Sequence, residues 1–345
     1  MSFSNCAWFL LLVGLTHPSA SRSDDALKNR VREEYPVALA KLEARYSSMH
    51  GQAELTEFKF QSDPATRETA KVLDFAFAPG HAKLSFTTIK AWDKIKPNET
   101  MIYQNVFALN ADYWFVLSRH NPDEALALKD VSEDKSKGRS RIHNQHENDV
   151  RCAYSVHNTA VSAFFNRNMF QIDDVFEENV VGETKRLVVL FTLIHSPDKP
   201  RAKNASFVDG GWLTICPEEG WIVREYGVVH STSDKSVTYF GKVEYARSPD
   251  GHLDPVRHTQ RTYPDRASRD NPGKPIVGFD LDFKTVKYEA LPDSEFRLPA
   301  FGMPDLGKGK EGASTARPYG LFALATVGFG IAGGLKYLSS KMKRS

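Results

Sequence analysis

The spacing of hydrophobic and polar positions changes once along the chain. Within residues 24–49, apolar side chains recur every three or four residues, which is typical of one face of an α-helix. Pro36 interrupts this segment and predicts a kink or two consecutive helices. After Gly51, apolar and polar residues alternate instead, as they do in strands that bury one face. The apolar positions of the helical segment are Leu27, Val31, Tyr35, Leu39, Leu42 and Tyr46.

Short alternating segments, separated by Pro, Gly, Asn and Asp, predict about a dozen strands between residues 51 and 290. A charged stretch at 132–151 predicts a loop, and apolar residues on one side of 155–166 predict a short helix. Asp209-Gly210 and Glu219-Gly220 are typical of hairpin turns. The predicted strands lie around 58–60 and 73–77, and at 81–90, 101–109, 112–118, 125–131, 170–177, 185–195, 207–216, 221–229, 237–246, 255–263 and 276–288.

Many short strands with few helices predict an α+β fold. We expect a large curved antiparallel sheet with one solvated face, whose apolar face closes on the helices. Alternating strand–helix–strand units are absent from the pattern, which argues against a Rossmann fold or an α/β barrel.

The N-terminal residues 1–21 are interpreted as a signal peptide. An apolar core at 7–15 is followed by Ser19-Ala20-Ser21, small residues that suit a cleavage site. The alternative is a buried helix or an uncleaved anchor, but the apolar run is too short to span a bilayer. Export of the chain is therefore expected.

A second apolar run, at 319–335, contains 17 uncharged residues and predicts a transmembrane helix at 318–338. The preceding stretch 307–317 has the composition of a flexible linker, and the tail 339–345 is basic. The positive-inside rule then predicts a single-pass protein of the cell inner membrane, with the tail in the cytoplasm and the ectodomain 22–306 in the periplasm. Gly330 and Gly334 have the spacing of a helix-dimerisation motif, which leaves a homodimer open.

Composition and charge exclude several classes. Hydrophobic residues make up 41% and charged residues 26% of the chain, which excludes bulk disorder and a multi-span membrane protein. The formal net charge is +2, but residues 317–345 contribute five basic side chains and no acid. Residues 22–316 therefore carry a net charge of −3, which argues against nucleic-acid binding.

Little in the sequence points to catalysis. His143, His146 and Glu147 lack the spacing of a metal-binding helix and favour a solvated loop. No nucleophile elbow, P-loop or dinucleotide motif is present, so we expect no enzyme activity, no cofactor and no metal site. Cys152 and Cys216 form an even pair in the exported part; a disulfide and two buried free thiols remain open.

Aromatic residues on the predicted strands are the strongest candidates for a binding site. They fill a hydrophobic core or, under a curved sheet, line a cavity for an acyl chain. The candidates are Phe58, Phe60, Phe75, Phe77, Phe86, Phe107, Trp114 and Phe191.

The run from Gly211 to Tyr226, GWLTICPEEGWIVREY, resembles a hairpin of exported LolA/RseB-like proteins of the planctomycete type. The segments 241–245 and 251–257 continue the resemblance, and EFRLPAFGMPD at 295–305 is similar to the closing motif before their C-terminal anchor. The resemblance covers mainly residues 155–345. Aspartate is expected at the position of Cys216, so the family gives no support to a Cys152–Cys216 disulfide.

The resemblance implies a half-barrel of antiparallel strands closed by helices. In LolA the apolar face carries lipoprotein acyl chains, and in RseB a similar face senses envelope stress. No LolA ligand residue has a matching position here. We therefore expect a non-enzymatic, membrane-anchored extracytoplasmic protein that binds a hydrophobic ligand, a lipid or a lipoprotein acyl chain. The alternative is a protein–protein interaction or stress-sensing module without a small-molecule ligand.

Overall fold

The computed structural model describes residues 25–60, 67–90, 102–165, 170–180, 184–194, 207–231 and 235–306. The chain divides into two compact units, residues 1–297 and 298–345. In the second unit, the described residues contain a 3-10 helix at Leu298–Phe301. The predicted signal peptide, linker, transmembrane helix and basic tail, with Gly330 and Gly334, lie outside the described residues. No helix among the described residues is long and apolar enough to cross a membrane.

The first unit contains four α-helices and fifteen strands among its described residues. In chain order they are α1 (Asp25–Tyr46), β1 (Met49–Lys59), β2 (Arg67–Ala78), β3 (His81–Lys90), β4 (Gln104–Leu109), β5 (Trp114–Arg119), β6 (Ala127–Ser132), α2 (Lys135–His143), α3 (Glu147–Val150), β7 (Ser155–Val156), β8 (Thr159–Ala160), α4 (Ser162–Phe165), β9 (Phe170–Glu178), β10 (Arg186–Leu193), β11 (Phe207–Cys216), β12 (Ile222–Ser231), β13 (Ser236–Arg247), β14 (Leu253–Pro264) and β15 (Val277–Lys287). Two 3-10 helices lie at Pro217–Glu219 and Asp293–Phe296.

Thirteen of these strands form one antiparallel sheet, in the order β6-β5-β4-β3-β2-β1-β15-β14-β13-β12-β11-β10-β9. The order consists of two meanders joined where the first strand pairs with the last, with Leu55 opposite Leu281. The remaining strands, β7 and β8, pair only with each other. The predicted large antiparallel sheet with few helices is thus confirmed.

One face of this sheet is covered by the helices. We call it the covered face and define it by Leu55, Leu73, Phe75 and Leu281, which are almost fully buried in one hydrophobic cluster. Alternation along each strand places every second residue on this face. The helix α1 packs against β9, whereas α2 packs against β3, β4 and β5. The hydrophobic core therefore lies between the helices and the covered face.

The helix α1 is one continuous element, although Pro36 lies inside it. Val31, Tyr35, Leu39 and Tyr46 are its buried residues, and their spacings of four and seven residues correspond to the apolar stripe of the sequence pattern. The helical segment was predicted over 24–49, but β1 already begins at Met49.

Three local predictions are wrong. The charged stretch 132–151 is not a loop but contains α2 and α3, and the acidic side chains Glu147 and Asp149 of α3 are paired and buried. Residues 155–166 do not form one helix, because the chain first makes the β7–β8 hairpin and then the single turn α4. Asp209-Gly210 is not a turn: it lies inside β11, where the register of the pairing with β12 shifts.

The segment after β15 returns to the opposite face of the sheet. Phe296, at the end of a 3-10 helix, is completely buried and packs with Ala76 and Ala78 of β2. Asn110 Nδ2 donates a hydrogen bond to the Phe296 carbonyl at 3.1 Å, and Arg297 pairs with Asp112 at 2.7 Å. This segment is thereby attached to β2 and to the turn between β4 and β5.

Candidate functional site

An open groove runs along one side of α1. Its volume is about 1080 Å³, compared with roughly 300–1,000 Å³ for typical small-molecule pockets. One wall is α1 itself, and the opposite wall is formed by the turn after β11 and the turn between β13 and β14. The apolar side chains of the lining are Val37, Ala38, Leu42, Tyr46, Trp221, Ile222, Leu253 and Tyr288.

Val37 is an exposed apolar side chain on the helix side of the groove. Its side chain is 58% exposed, although its neighbours Tyr35 and Leu39 are buried in the core. Surface helices normally place polar residues at such positions. The groove therefore offers an apolar wall to a ligand.

Trp221 forms the floor of the groove. It has φ of +64° and follows Gly220 at φ +79°, so two successive residues adopt the left-handed conformation. A bulky residue rarely adopts this conformation, which carries a strain of about 1–3 kcal/mol. The tryptophan is held there by the hydrogen bond from its backbone N–H to the Cys216 carbonyl at 2.8 Å and by stacking of its ring on Tyr35, with centroids 5.6 Å apart.

Charged side chains surround the apolar lining. Arg45 pairs with Asp254 at 3.0 Å and lies over the Tyr288 ring at 4.0 Å. Glu219 pairs with Arg224 at 2.6 Å. An apolar floor with a polar rim of both signs suits an amphiphile, whose chain is buried while its head group stays in water.

The predicted aromatic candidates do not line this groove. Six of them belong to the core of the covered face: four are almost fully buried, and Phe86 and Phe107 pack edge to face at 6.2 Å. The other two, Phe58 and Phe60, stack on each other at 6.0 Å under the guanidinium of Arg261. They alternate with Glu57 and thus lie on the opposite face. The four buried ones are Phe75, Phe77, Trp114 and Phe191.

A chain of buried polar groups crosses the covered face. His146 Nδ1 lies 2.8 Å from Asp149 Oδ2, and its Nε2 lies 3.7 Å from Glu57 Oε1. The Asp149 carbonyl is 3.0 Å from Nδ1 of His258, whose Nε2 is 3.2 Å from the Tyr226 hydroxyl. The predicted solvated loop around His146 is therefore wrong: its charges are neutralised in pairs, so they can be buried.

Glu147 of the same segment is buried as well. Its side chain is 3% exposed and accepts hydrogen bonds from Arg139 at 3.1 Å and Arg151 at 2.9 Å. His143 Nδ1 lies 3.2 Å from the Asn148 amide. These contacts fix α3 against α2, so His143 and Glu147 have structural roles.

The pairs shift the pKa values of their members. Burial would lower the pKa of His146, but the hydrogen bonds to Asp149 and Glu57 raise it to about 9. Burial would raise the pKa of Glu57, but the hydrogen bonds from His146 and Lys71 lower it to about 2. Burial would also raise the pKa of Asp149, but the hydrogen bond with His146 lowers it below its usual range. At neutral pH the histidine is therefore a cation between two carboxylates.

Cys152 and Cys216 are both free thiols and both buried. Burial raises the pKa of Cys216 to about 11 and raises that of Cys152 further. The sequence left a disulfide and two buried free thiols open, and in the structure both residues are free thiols. Buried protonated thiols are unreactive and serve as small apolar side chains.

In the described part of the chain, no group of three or more His, Cys, Asp or Glu side chains could hold a metal ion.

The sequence had predicted neither Val37 nor Trp221. The available signal was an apolar residue outside the helical stripe at Val37, and a tryptophan directly after the turn glycine at Trp221.

Comparison with protein-family models finds no match, and comparison with curated proteins finds none. Among solved structures, the chain is similar to a LolA superfamily protein from Nitrosomonas europaea, with 11% identity, 75% of this chain and 96% of that chain covered, and a TM-score of 0.35. It is also similar to a DUF1329 family protein from Desulfovibrio piger, with 9% identity, coverage of 77% and 97%, and a TM-score of 0.38. A lipoprotein-sorting protein domain from Vibrio parahaemolyticus, described as outer membrane, has 9% identity, coverage of 78% and 98%, and a TM-score of 0.39. All three TM-scores lie below 0.5, so we derive the function from the geometry of this chain.

Proposed function

We propose that this protein binds the acyl chain of an amphiphile in the groove beside α1, without converting it chemically. The observation that supports this is the groove itself, with the exposed Val37 on one wall and Trp221 on its floor. Burial of each CH₂ group would contribute about 0.8 kcal/mol. Binding in an extracytoplasmic compartment, next to a membrane that holds the predicted helix 318–338, would give the protein access to such ligands.

Photo-crosslinking with a diazirine-labelled palmitate tests this proposal. The full-length chain is reconstituted in lipid nanodiscs, and labelled peptides are identified by mass spectrometry. We expect adducts on the peptides that contain Val37 and Trp221. The substitution Val37→Asp places a charge on the apolar wall and should reduce this labelling about tenfold, which corresponds to about 1.4 kcal/mol.

Val256→Asp is the matched control, because Val256 is also an exposed valine but does not line the groove. Its labelling should equal that of the unsubstituted chain. Groove labelling that is absent, or that survives Val37→Asp unchanged, would reject the acyl-chain proposal.

The second candidate is an interaction module without a small-molecule ligand. It is favoured by the packing of the covered face, whose aromatic candidates are buried by the protein itself. Benzoylphenylalanine at position 37 distinguishes the two functions in living cells. A crosslink to lipid supports the acyl-chain ligand, whereas a crosslink to one protein in place of lipid supports the interaction module.

A further inference from the structure

The β7–β8 hairpin has histidine in its two-residue turn. His157 and Asn158 have φ of +34° and +57°, so both adopt positive φ. Asparagine tolerates this conformation well, and the two-residue hairpin turn that requires it favours Asn-Gly or Asp-Gly. The histidine is therefore not the residue that the turn itself would select. Its role is instead to make side-chain contacts with the sheet.

The imidazole of His157 is inserted among side chains of three strands. It lies parallel to the Tyr239 ring of β13, with ring centroids 3.4 Å apart. It lies edge to face against His230 of β12 at 4.7 Å, and its Nδ1 is 3.2 Å from Gln260 Oε1 of β14. The Tyr226 hydroxyl donates to the same Gln260 oxygen at 2.8 Å. Through these contacts the hairpin is fixed to the covered face.

Two imidazole rings at this distance resist protonation, because the two positive charges would repel. Burial lowers the pKa of His157, and burial together with the charge of His157 lowers that of His230 to about 4. Asp149 acts on His157, and Asp209 on His230, in the opposite direction.

Further titratable groups belong to the same region. The pKa of Tyr239 and that of Tyr226 are raised by burial, so both phenols stay neutral. His258, next to Tyr226, has a pKa lowered by burial. His146 keeps its charge between its two carboxylates. Neutral His157 and His230 therefore hold the hairpin at neutral pH.

The hairpin is connected to the groove by packed side chains. It leads directly into α4, where Phe165 packs edge to face on Tyr35 of α1 at 5.7 Å. The Ser162 hydroxyl of α4 also donates a hydrogen bond to Glu43 of α1. On its other side, Tyr35 stacks on Trp221, the groove floor. Displacement of the hairpin would therefore loosen both the wall and the floor of the groove.

We propose that His157 and His230 form an acid-sensitive latch, which holds the β7–β8 hairpin on the sheet and, on protonation, releases it and loosens the wall and the floor of the groove. The part that concerns the groove rests on the proposed acyl-chain function. The part that concerns the hairpin does not, and it is tested independently.

Hydrogen–deuterium exchange of the full-length chain measures the hairpin directly, at about pH 7.5 and about pH 4.5 with correction for the intrinsic exchange rate. A displaced His230 regains the ordinary pKa, so the opening constant should rise roughly 70-fold in acid, by its linkage alone. This faster exchange should appear in peptides covering 155–165. Peptides from β1 and β2 report global acid unfolding, and their corrected exchange rates should be the same at both pH values.

His230→Gln, and the double variant His157→Gln with His230→Gln, remove the charge. The single variant should lose most of the acid response and the double variant all of it. His230→Phe serves as a second variant that keeps an aromatic ring, and circular dichroism at neutral pH verifies its fold. His50→Gln is the control, because the His50 ring, near the start of β1, contacts Glu289 and not the hairpin residues named above.

The diazirine-palmitate probe gives the second readout under the same conditions. In the unsubstituted chain, groove labelling should fall several-fold at about pH 4.5, and in the double variant it should stay constant. If hydrogen exchange of the hairpin does not become faster in acid, or becomes equally faster in the double variant, the latch is overturned. A hairpin that opens while groove labelling persists overturns its connection to the ligand. Absence of labelling at neutral pH rejects the proposed function but leaves the exchange result standing.

Discussion

His146 and Asp149 form an ion pair three residues apart, with Nδ1 2.8 Å from Oδ2, on the covered face of the sheet. The histidine has φ of +61° and precedes α3, so its ring points back towards the sheet, where Phe279 lies at 5.0 Å. Glu57 of β1 completes the pairing from the sheet. A short helix with few apolar residues is thereby fixed to the sheet by charge.

Loss of this ion pair in alkaline solution should make the protein less stable there. The pKa of His146 is raised to about 9, so its contribution is fully present below the ordinary value of about 6.5 and is lost as the pH rises through about 9. His146→Gln should remove this dependence and lower the free energy of unfolding at neutral pH by about 3 kcal/mol, because Asp149 is left buried without its cation.

Urea unfolding of both proteins at about pH 7 and about pH 10 measures the difference. His81→Gln is a suitable control, since His81 pairs with Asp293 outside this network. An unfolding free energy for His146→Gln that falls with alkali as steeply as that of the unsubstituted chain would contradict the assignment.

Gly138 determines how closely α2 approaches the sheet. A Cβ at this position would lie 2.3 Å from Cγ of Trp114 on β5. Alanine normally favours a helix over glycine by about 1 kcal/mol, but here we expect Gly138→Ala to destabilise the protein by about 1–3 kcal/mol through overpacking. Thermal unfolding measures it, and Gly138→Ala combined with Trp114→Phe should recover part of the loss. An increase in the melting temperature of the single variant would show that α2 can shift.

Most strands of the large sheet were predictable from the sequence, because alternation depends only on which face of each strand is buried. The strand at 207–216, for example, has the predicted bounds, and the last strand differs by one residue at each end. The segment of α2 and α3 was not predictable in this way. Glu147 and Asp149 are charged and yet buried, since Arg151 and His146 neutralise them, and a hydropathy pattern does not contain these partners.

The candidate site was less accessible to sequence reasoning. Phe75 and Phe77 were correctly placed on a buried face, but their neighbours fill that face completely. The groove beside α1 depends on where two turns, far apart in sequence, meet the helix. Val37 and Trp221 are adjacent to it only because of that tertiary contact.

Both cysteines should be unreactive in the folded protein. Cys152 and Cys216 are buried, and their raised pKa values keep the thiols protonated at neutral pH. We expect the peptides that contain them to remain unmodified by maleimide under native conditions and to be fully modified in denaturant without a reducing agent. Mass spectrometry of these peptides measures both states. Labelling that requires prior reduction would instead demonstrate a disulfide.

The contact of Phe296 with the face of the sheet opposite the covered face should be a major source of stability for the first unit. Its ring is completely buried against Ala76 and Ala78, and its carbonyl accepts the Asn110 hydrogen bond. Phe296→Ala should lower the free energy of unfolding by about 3–5 kcal/mol. Asn110→Ala should also destabilise, because the Asn110 side chain additionally accepts hydrogen bonds from the N–H groups of Asp112 and Tyr113.

A double-mutant cycle separates these two roles of Asn110. If the side chain stabilises the fold partly by holding the Phe296 segment, the two substitutions together should cost less than their sum, with a coupling of about 0.5–3 kcal/mol. Leu291→Ala is the control, because Leu291 packs on the same cluster but makes no hydrogen bond to Asn110. Additive effects of Phe296→Ala and Asn110→Ala would mean that Asn110 acts only within its own turn.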